Sequence, residues 1–112
     1  MLVGVPDSVL KKIIKNKKCI FATDEAEAVA IAVGYYLATG KEGEVFAGSN
    51  GFLNAMDFLT SLVIPYNIPV KWTIGVGRKE EWHEISSDIL IKAFYQDEYF
   101  KKRNFKTIRK RD

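Results

Sequence analysis

The sequence predicts a three-layer α/β/α domain with a mainly parallel sheet, and three observations lead there. Short apolar runs alternate with longer helical stretches along the chain, the order in which a helix returns the chain across a sheet to a parallel neighbour. Each apolar run is bounded by Gly, Pro or charge, which marks strands rather than helices. A length of 112 residues leaves room for one core only.

Leu2 to Val5, stopped by Pro6, reads as a buried strand. Asp7 or Ser8 can cap a helix over Val9 to Asn16, where Val9, Leu10, Ile13 and Ile14 recur at helical spacing. Cys19 to Ala22 is a second strand. The clearest helix runs from Asp24 to about Thr39. It is Ala-rich, Asp24 and Glu27 form a capping box, and Gly40 ends it. Glu44 to Ala47 is a strand, and Asn50 to Ile64 is a helix with the stripe Phe52, Ala55, Met56, Leu59, Leu62 and Val63.

Pro65 and Pro69 then bracket a turn. In the strand Val70 to Val76, Val70, Trp72, Ile74 and Val76 alternate with Lys71, Thr73 and Gly75, so one face is expected to be better buried. The chain turns polar from Gly77 to Glu84, a last helix is expected from Ser86 or Ser87 to about Asp97, and Phe105 to Ile108 is a candidate final strand. The organisation is one domain over residues 1–100 and a basic segment over 101–112, a last strand plus tail.

Composition excludes several classes. The longest apolar stretches are interrupted well short of the ~20 residues that cross a bilayer, and no positively charged and apolar leader pair opens the chain. A single cysteine, Cys19, cannot form an internal disulfide, which suits a reducing compartment and a cytoplasmic location. The net charge of +3 is uneven: the last twelve residues hold seven Lys or Arg and one acid. A solvated terminus accounts for that, and nucleic acid is not an expected partner.

In open parallel sheets ligands gather at the carboxyl ends of the strands. Four polar clusters fall there: Pro6-Asp7-Ser8, Thr23-Asp24-Glu25, Gly48-Ser49-Asn50-Gly51 and Gly77 to Glu84. Glu25 lies in the first turn of a helix, where the dipole favours a carboxylate; helix-start stabilisation alone explains it as well as a functional role does. Gly48 to Gly51 has the form of a backbone cradle for an anion or a polar ring, or simply of a tight turn. It lacks the Gly-Lys-Ser/Thr of a phosphate loop and the spacing of a dinucleotide fingerprint. His83 is the only histidine. With no second His or Cys at ligand spacing, no metal site is expected in this chain, and Cys19 sits in a strand without a nearby base.

Taken in order, these clusters resemble the pyrimidine-binding domain of thiamine-diphosphate-dependent decarboxylases, nearest the sulfopyruvate and phosphonopyruvate decarboxylases. Gly4-Val5-Pro6-Asp7-Ser8 is similar to the family's opening Gly-Val-Pro-Cys/Asp-Ser. Thr23-Asp24-Glu25-Ala26-Glu27-Ala28-Val29-Ala30-Ile31-Ala32-Val33-Gly34 is similar to its Asn-Glu-Gly-Glu-Ala-Val-Ala-Ile-Ala-Ala-Gly run. Asn54-Ala55, Leu59-Thr60-Ser61-Leu62, Pro65-Tyr66 and Ile68-Pro69-Val70 resemble the family's central helix and following strand. The likeness spans about residues 4–95 and implies a thiamine-diphosphate-binding, flavodoxin-like topology.

The resemblance implies that Glu25, nine residues before Gly34, hydrogen-bonds a ring nitrogen of the cofactor's aminopyrimidine and favours its imino tautomer. It implies that Gly48, Ser49, Asn50 and Asn54 bind beside that ring, that Asp7 assists proton transfer at the substrate, and that Glu80, Glu81 and His83 stand for the family's Asp-Glu-Pro-Gln-His loop. Arg78 or Lys79 is the expected counter-charge for a small anionic 2-oxoacid. No Gly-Asp-Gly followed by the family's Asn occurs. The resemblance therefore implies that the Mg²⁺ and diphosphate site lies on a separate partner subunit, within a homo- or hetero-oligomer, and that the chain is inactive alone. Phe52, Trp82, Phe94, Tyr95, Tyr99 and Phe100 are candidates either for that interface or for the core.

Residues 47–54 read Ala-Gly-Ser-Asn-Gly-Phe-Leu-Asn where the family has Met-Gln-Asn-Ser-Gly-Leu-Gly-Asn, losing its glutamine and one glycine. Two alternatives stay open: a non-catalytic descendant with a regulatory or assembly role, and an unrelated flavodoxin-like small-molecule binder.

Overall fold

The computed structural model describes residues 1–77, 89, 90, 92, 93 and 97–109. Five strands form one sheet, β1 (Leu2–Gly4), β2 (Ile20–Phe21), β3 (Gly43–Gly48), β4 (Val70–Val76) and β5 (Phe105–Arg109), and every pairing is parallel. Their spatial order is β2-β1-β3-β4-β5. The chain steps outward from β1 to β2, then back past β1 to β3, so the direction of winding reverses between β1 and β3. Right-handed crossovers then put the helix before the reversal on one face and those after it on the other. The α/β expectation holds. The basic segment belongs to the sheet as far as Arg109, because β5 pairs with β4 from Trp72↔Phe105 to Val76↔Arg109.

The helices are α1 (Lys11–Ile14), α2 (Glu25–Thr39), α3 (Ser49–Leu53), α4 (Met56–Phe58), a π-helical turn Leu59–Val63 and α5 (Glu98–Lys101). Capping sets the bounds of α2. Asp24 Oδ1 accepts from the Glu27 N–H at 2.8 Å, and Gly40 ends the helix at φ 72°. The reciprocal arm of the box is displaced by one residue: Glu27 accepts from the Thr23 N–H at 3.1 Å and the Thr23 hydroxyl at 2.8 Å, not from Asp24.

Two expectations are corrected. The first helix is a single turn instead of Val9 to Asn16, with no side-chain cap at Leu10; Asp7 bonds ahead of it, accepting from the Val9 N–H at 3.0 Å. The helix expected over Asn50 to Ile64 is three pieces. It breaks at Ala55 (φ −94°, ψ 8°) after the poor helix formers Gly51 and Asn54, and it widens into π geometry from Leu59, where the Thr60 hydroxyl donates to the Met56 carbonyl at 3.0 Å. Asp97, at the expected end of the last helix, caps α5 by accepting from the Tyr99 N–H at 2.9 Å. Of the earlier part of that expected helix, residues 89, 90, 92 and 93 are described, as helix.

The main core lies on the α2 face of the sheet. Val3, Val45, Ala47, Trp72, Ile74 and Phe105 meet Ala28, Val29, Ala32 and Val33 of α2 and Phe52, Leu59 and Val63 beyond β3. Phe52 contacts Trp72 edge-on at 5.5 Å and Phe105 at 5.8 Å, and Phe100 lies 5.0 Å from Phe105. Phe52, Tyr99 and Phe100 are thus core residues, not interface anchors; Trp82, Phe94 and Tyr95 lie outside the described residues. Both faces of β4 are buried apart from Lys71, fuller burial than its alternation predicts. The opposite face carries Phe46, whose ring and carbonyl oxygen cover Gly4 so closely that any β-carbon there would collide.

The Tyr99 hydroxyl donates to the Ile68 carbonyl at 2.6 Å, and Arg103 stacks 4.8 Å over its ring. Burial pushes this phenol above its ordinary 10.0, opposed by the neighbouring Trp72 indole and the Arg103 guanidinium. The folded pKa is the raised one, so this group's stabilisation is complete below pH 10.0 and is lost as the pH rises through the folded value. Urea unfolding as a function of pH checks this. Tyr99→Phe is expected to lose about 1 kcal/mol at neutral pH and to decline less steeply than the wild type in alkali.

Candidate functional site

The strand ends place two carboxylates around one turn. Asp7 follows β1, and its side chain lies flat across the ends of β3 and β4. A β-carbon on Gly48 would stand 2.5 Å from Asp7 Oδ1, and one on Gly75 would stand 2.6 Å from Asp7 Oδ2. Only glycine at both positions admits a carboxylate there. Gly75 also sits beneath the segment that leads into α1: its β-carbon would meet Leu10 Cγ at 3.0 Å and Val9 Cβ at 3.1 Å.

Glu25 comes from the opposite side. It begins α2 and folds over Gly51, whose β-carbon would collide with its Oε2. Its Oε1 accepts from Asn54 Nδ2 at 3.2 Å, a contact spanning 29 residues. Among the described residues no hydrogen bond to Oε2 is formed. The turn from β3 into α3 is therefore clasped between two half-buried carboxylates, Asp7 over Gly48 and Glu25 over Gly51. Ser49, at 1% exposure, is buried within the turn, and Asn50 is exposed.

Of the readings left open for Gly48 to Gly51, this geometry favours a polar ring or a tight turn over an anion. The recesses that the two glycines leave are filled by the chain's own carboxylates, which repel an anion and attract hydrogen-bond donors. A polar ring presenting N–H groups suits the site; a phosphate does not.

The structure brings together Asp7, Glu25, Gly48, Ser49 and Asn50, expected residues from the first three polar clusters, and Asn54, which the resemblance implied. Arg78, Lys79, Glu80, Glu81 and His83 lie outside the described residues. Beside Asp7 is an open groove of about 310 Å³, lined by Pro6, Asp7, Ser8, Lys11 and Ile14. Lys11 thus brings a positive charge near Asp7 that sequence reasoning did not single out, because a lysine on a short helix looks like any solvated one. Gly75 was also missed as a site residue. For Gly75 the signal is an isolated glycine inside a β-branched strand, which marks a close approach. Among the described residues no group of three or more His, Cys, Asp or Glu is placed to hold a metal ion, and no helix is long and apolar enough to cross a membrane. No protein-family model matches the chain, and no curated protein matches it.

Two glycine substitutions separate close approach from helix propensity. Gly75→Ala should cost about 1–3 kcal/mol, because a methyl group there drives the Asp7 to Leu10 segment off the sheet. Gly34→Ala should gain about 0.5–1 kcal/mol, because nothing lies within 4 Å of its β-carbon position in mid-helix. Urea midpoints of the two variants, moving in opposite directions, are the check.

Proposed function

We propose that this chain is the pyrimidine-binding half of a thiamine-diphosphate-dependent 2-oxoacid decarboxylase of the sulfopyruvate or phosphonopyruvate kind, completed by a separate subunit that holds the diphosphate and Mg²⁺. The observation that carries this proposal is Glu25: half-buried at the start of α2, oriented by Asn54, and without a hydrogen bond to Oε2 among the described residues.

The residues fit an aminopyrimidine. A protonated ring nitrogen needs a fixed carboxylate acceptor, and Oε2 is one whose rotamer is held by the Asn54 amide on one side and the Gly51 backbone on the other. The Gly48 to Asn50 backbone and Asn54 would flank the ring. When bound, the cofactor supplies the nucleophile and the electron sink that decarboxylation of a 2-oxoacid requires. Glu25 holds a proton at the ring nitrogen and so tunes the cofactor's electronics. Asp7, across the same turn, is the second proton-transfer group and faces the substrate side. An anionic substrate beside two carboxylates needs a cation, a part assigned to Arg78 or Lys79; His83 is assigned to proton transfer from the same polar segment. A cytoplasmic location belongs to this proposal, since Cys19 is a free thiol.

One observation favours a second function. Asp7 and Glu25 are engaged in packing the turn over Gly48 and Gly51, which a non-catalytic assembly module descended from the same domain would also retain.

Calorimetric titration of thiamine diphosphate with Mg²⁺ separates the two. The chain should bind weakly by itself and tightly with a diphosphate-binding subunit that carries Gly-Asp-Gly and the following Asn. Glu25→Gln in that complex should lower the decarboxylation rate about 10²–10⁴-fold while leaving the unfolding midpoint close to wild type. Full turnover with Glu25→Gln would refute the role of Glu25. No binding in any competent complex would favour the assembly module.

A further inference from the structure

The sheet ends on one side at β2, a strand of two residues whose side chains stand in solvent. Ile20 is 46% exposed and Phe21 62%. Its inner edge is spent on β1, where the Ala22 N–H donates to the Gly4 carbonyl at 2.8 Å and the register pairs Gly4 with Phe21. In a parallel pair, backbone groups alternate between the two edges. The N–H and C=O of Phe21 therefore point outward, away from β1. Among the described residues no strand pairs with this edge, and one residue offering both a donor and an acceptor there is self-complementary: two copies related by a two-fold axis satisfy each other with an antiparallel Phe21–Phe21 pair.

The charges beside this edge have the polarity that such a pair requires. Lys15, Lys17 and Lys18 precede the strand, and Asp24 and Glu27 follow it. Running two copies antiparallel lays the lysine end of each against the carboxylate end of the other, with Lys18 across from Asp24 in the register centred on Phe21. The opposite edge of the sheet lacks this property. β5 is preceded by Lys101, Lys102 and Arg103 and itself carries Lys106 and Arg109, so two copies meeting there would repel, a common protection of exposed edges. The apolar side chains also favour β2: Ile20 on one face and Phe21 on the other are removed from water by the pairing.

We propose that the β2 edge is a homodimer interface, in which a second copy of this chain adds its own β2 antiparallel and continues the five-stranded sheet through the two-fold axis into a ten-stranded one. This surface is separate from the Glu25 and Asp7 cluster and stands or falls independently of the decarboxylase proposal.

Sedimentation equilibrium of the full chain over a range of concentrations tests it. The wild type should dimerise, and raising the salt from about 0.05 M to about 0.5 M should weaken the dimer, because exposed pairs are screened. Lys17→Glu with Lys18→Glu turns attraction into repulsion at both ends of the pair and should weaken dimerisation about tenfold or more. Phe21→Pro removes the outward N–H without touching the Ala22 N–H that binds β1, and should give a monomer. Lys102→Glu with Lys106→Glu makes the same change of charge near β5 and should leave the dimer intact. Circular dichroism confirms that each variant is folded. A wild type that stays monomeric, a dimer that survives both β2 variants, or one broken only by the β5 variant would each overturn the proposal.

Discussion

Two carboxylates rest where side chains would otherwise be, and the carboxyl end of the sheet is arranged around them. Asp7 occupies the space above Gly48 and Gly75, and Glu25 the space above Gly51. Each contact closes a long loop of chain: the first draws the β1–α1 segment onto the ends of β3 and β4, and the second ties α2 to the start of α3 with help from Asn54. A β-carbon at any of the three glycines would displace the carboxylate, and the turn between β3 and α3 would lose one wall of its clasp. The cost is glycine entropy at three positions; the return is a turn held from both faces of the sheet.

The electrostatic character of the site follows from the same packing. Glycine-rich turns after a strand are associated with bound phosphate because their N–H groups converge on empty space. Here that space already contains negative charge, so the chemistry favoured is acceptance of hydrogen bonds from a neutral or cationic partner. This is what makes an aminopyrimidine a better candidate than a nucleotide phosphate. The apolar interior supports the arrangement from below. Phe52, one residue beyond Gly51, is anchored among Trp72, Phe100 and Phe105, so the start of α3 cannot drift away from Glu25 without breaking the aromatic cluster.

Periodicity in the sequence was enough for the strands, because β-branched runs bounded by Gly, Pro and charge have few alternatives. The bounds of β4 match expectation, and those of β1, β3 and β5 differ from it by one residue. The helices were less legible. The stripe Phe52 to Val63 has helical spacing, yet spacing does not register that Thr60 competes for the Met56 carbonyl or that Ala55 leaves helical geometry, so one long helix was expected where three pieces stand. Asp7 was legible as a cap and as a polar strand-end residue. That it would reach two other strands was not, because a contact from Asp7 to Gly75 is invisible to any local pattern. Glu25 and Asn54 were each singled out by resemblance, and the hydrogen bond between them was not, for the same reason.

The central claim is that Glu25, Gly51 and Asn54 form one acceptor site for an aminopyrimidine. Two-dimensional NMR of the ¹⁵N-labelled chain, titrated with thiamine diphosphate and Mg²⁺ in complex with a diphosphate-binding partner subunit, tests it most directly. The account predicts that the Gly51 backbone amide and the Asn54 side-chain amide shift together as the cofactor binds, and that Glu25→Gln removes both responses. Cofactor binding that leaves these two signals in place and perturbs residues elsewhere would contradict it.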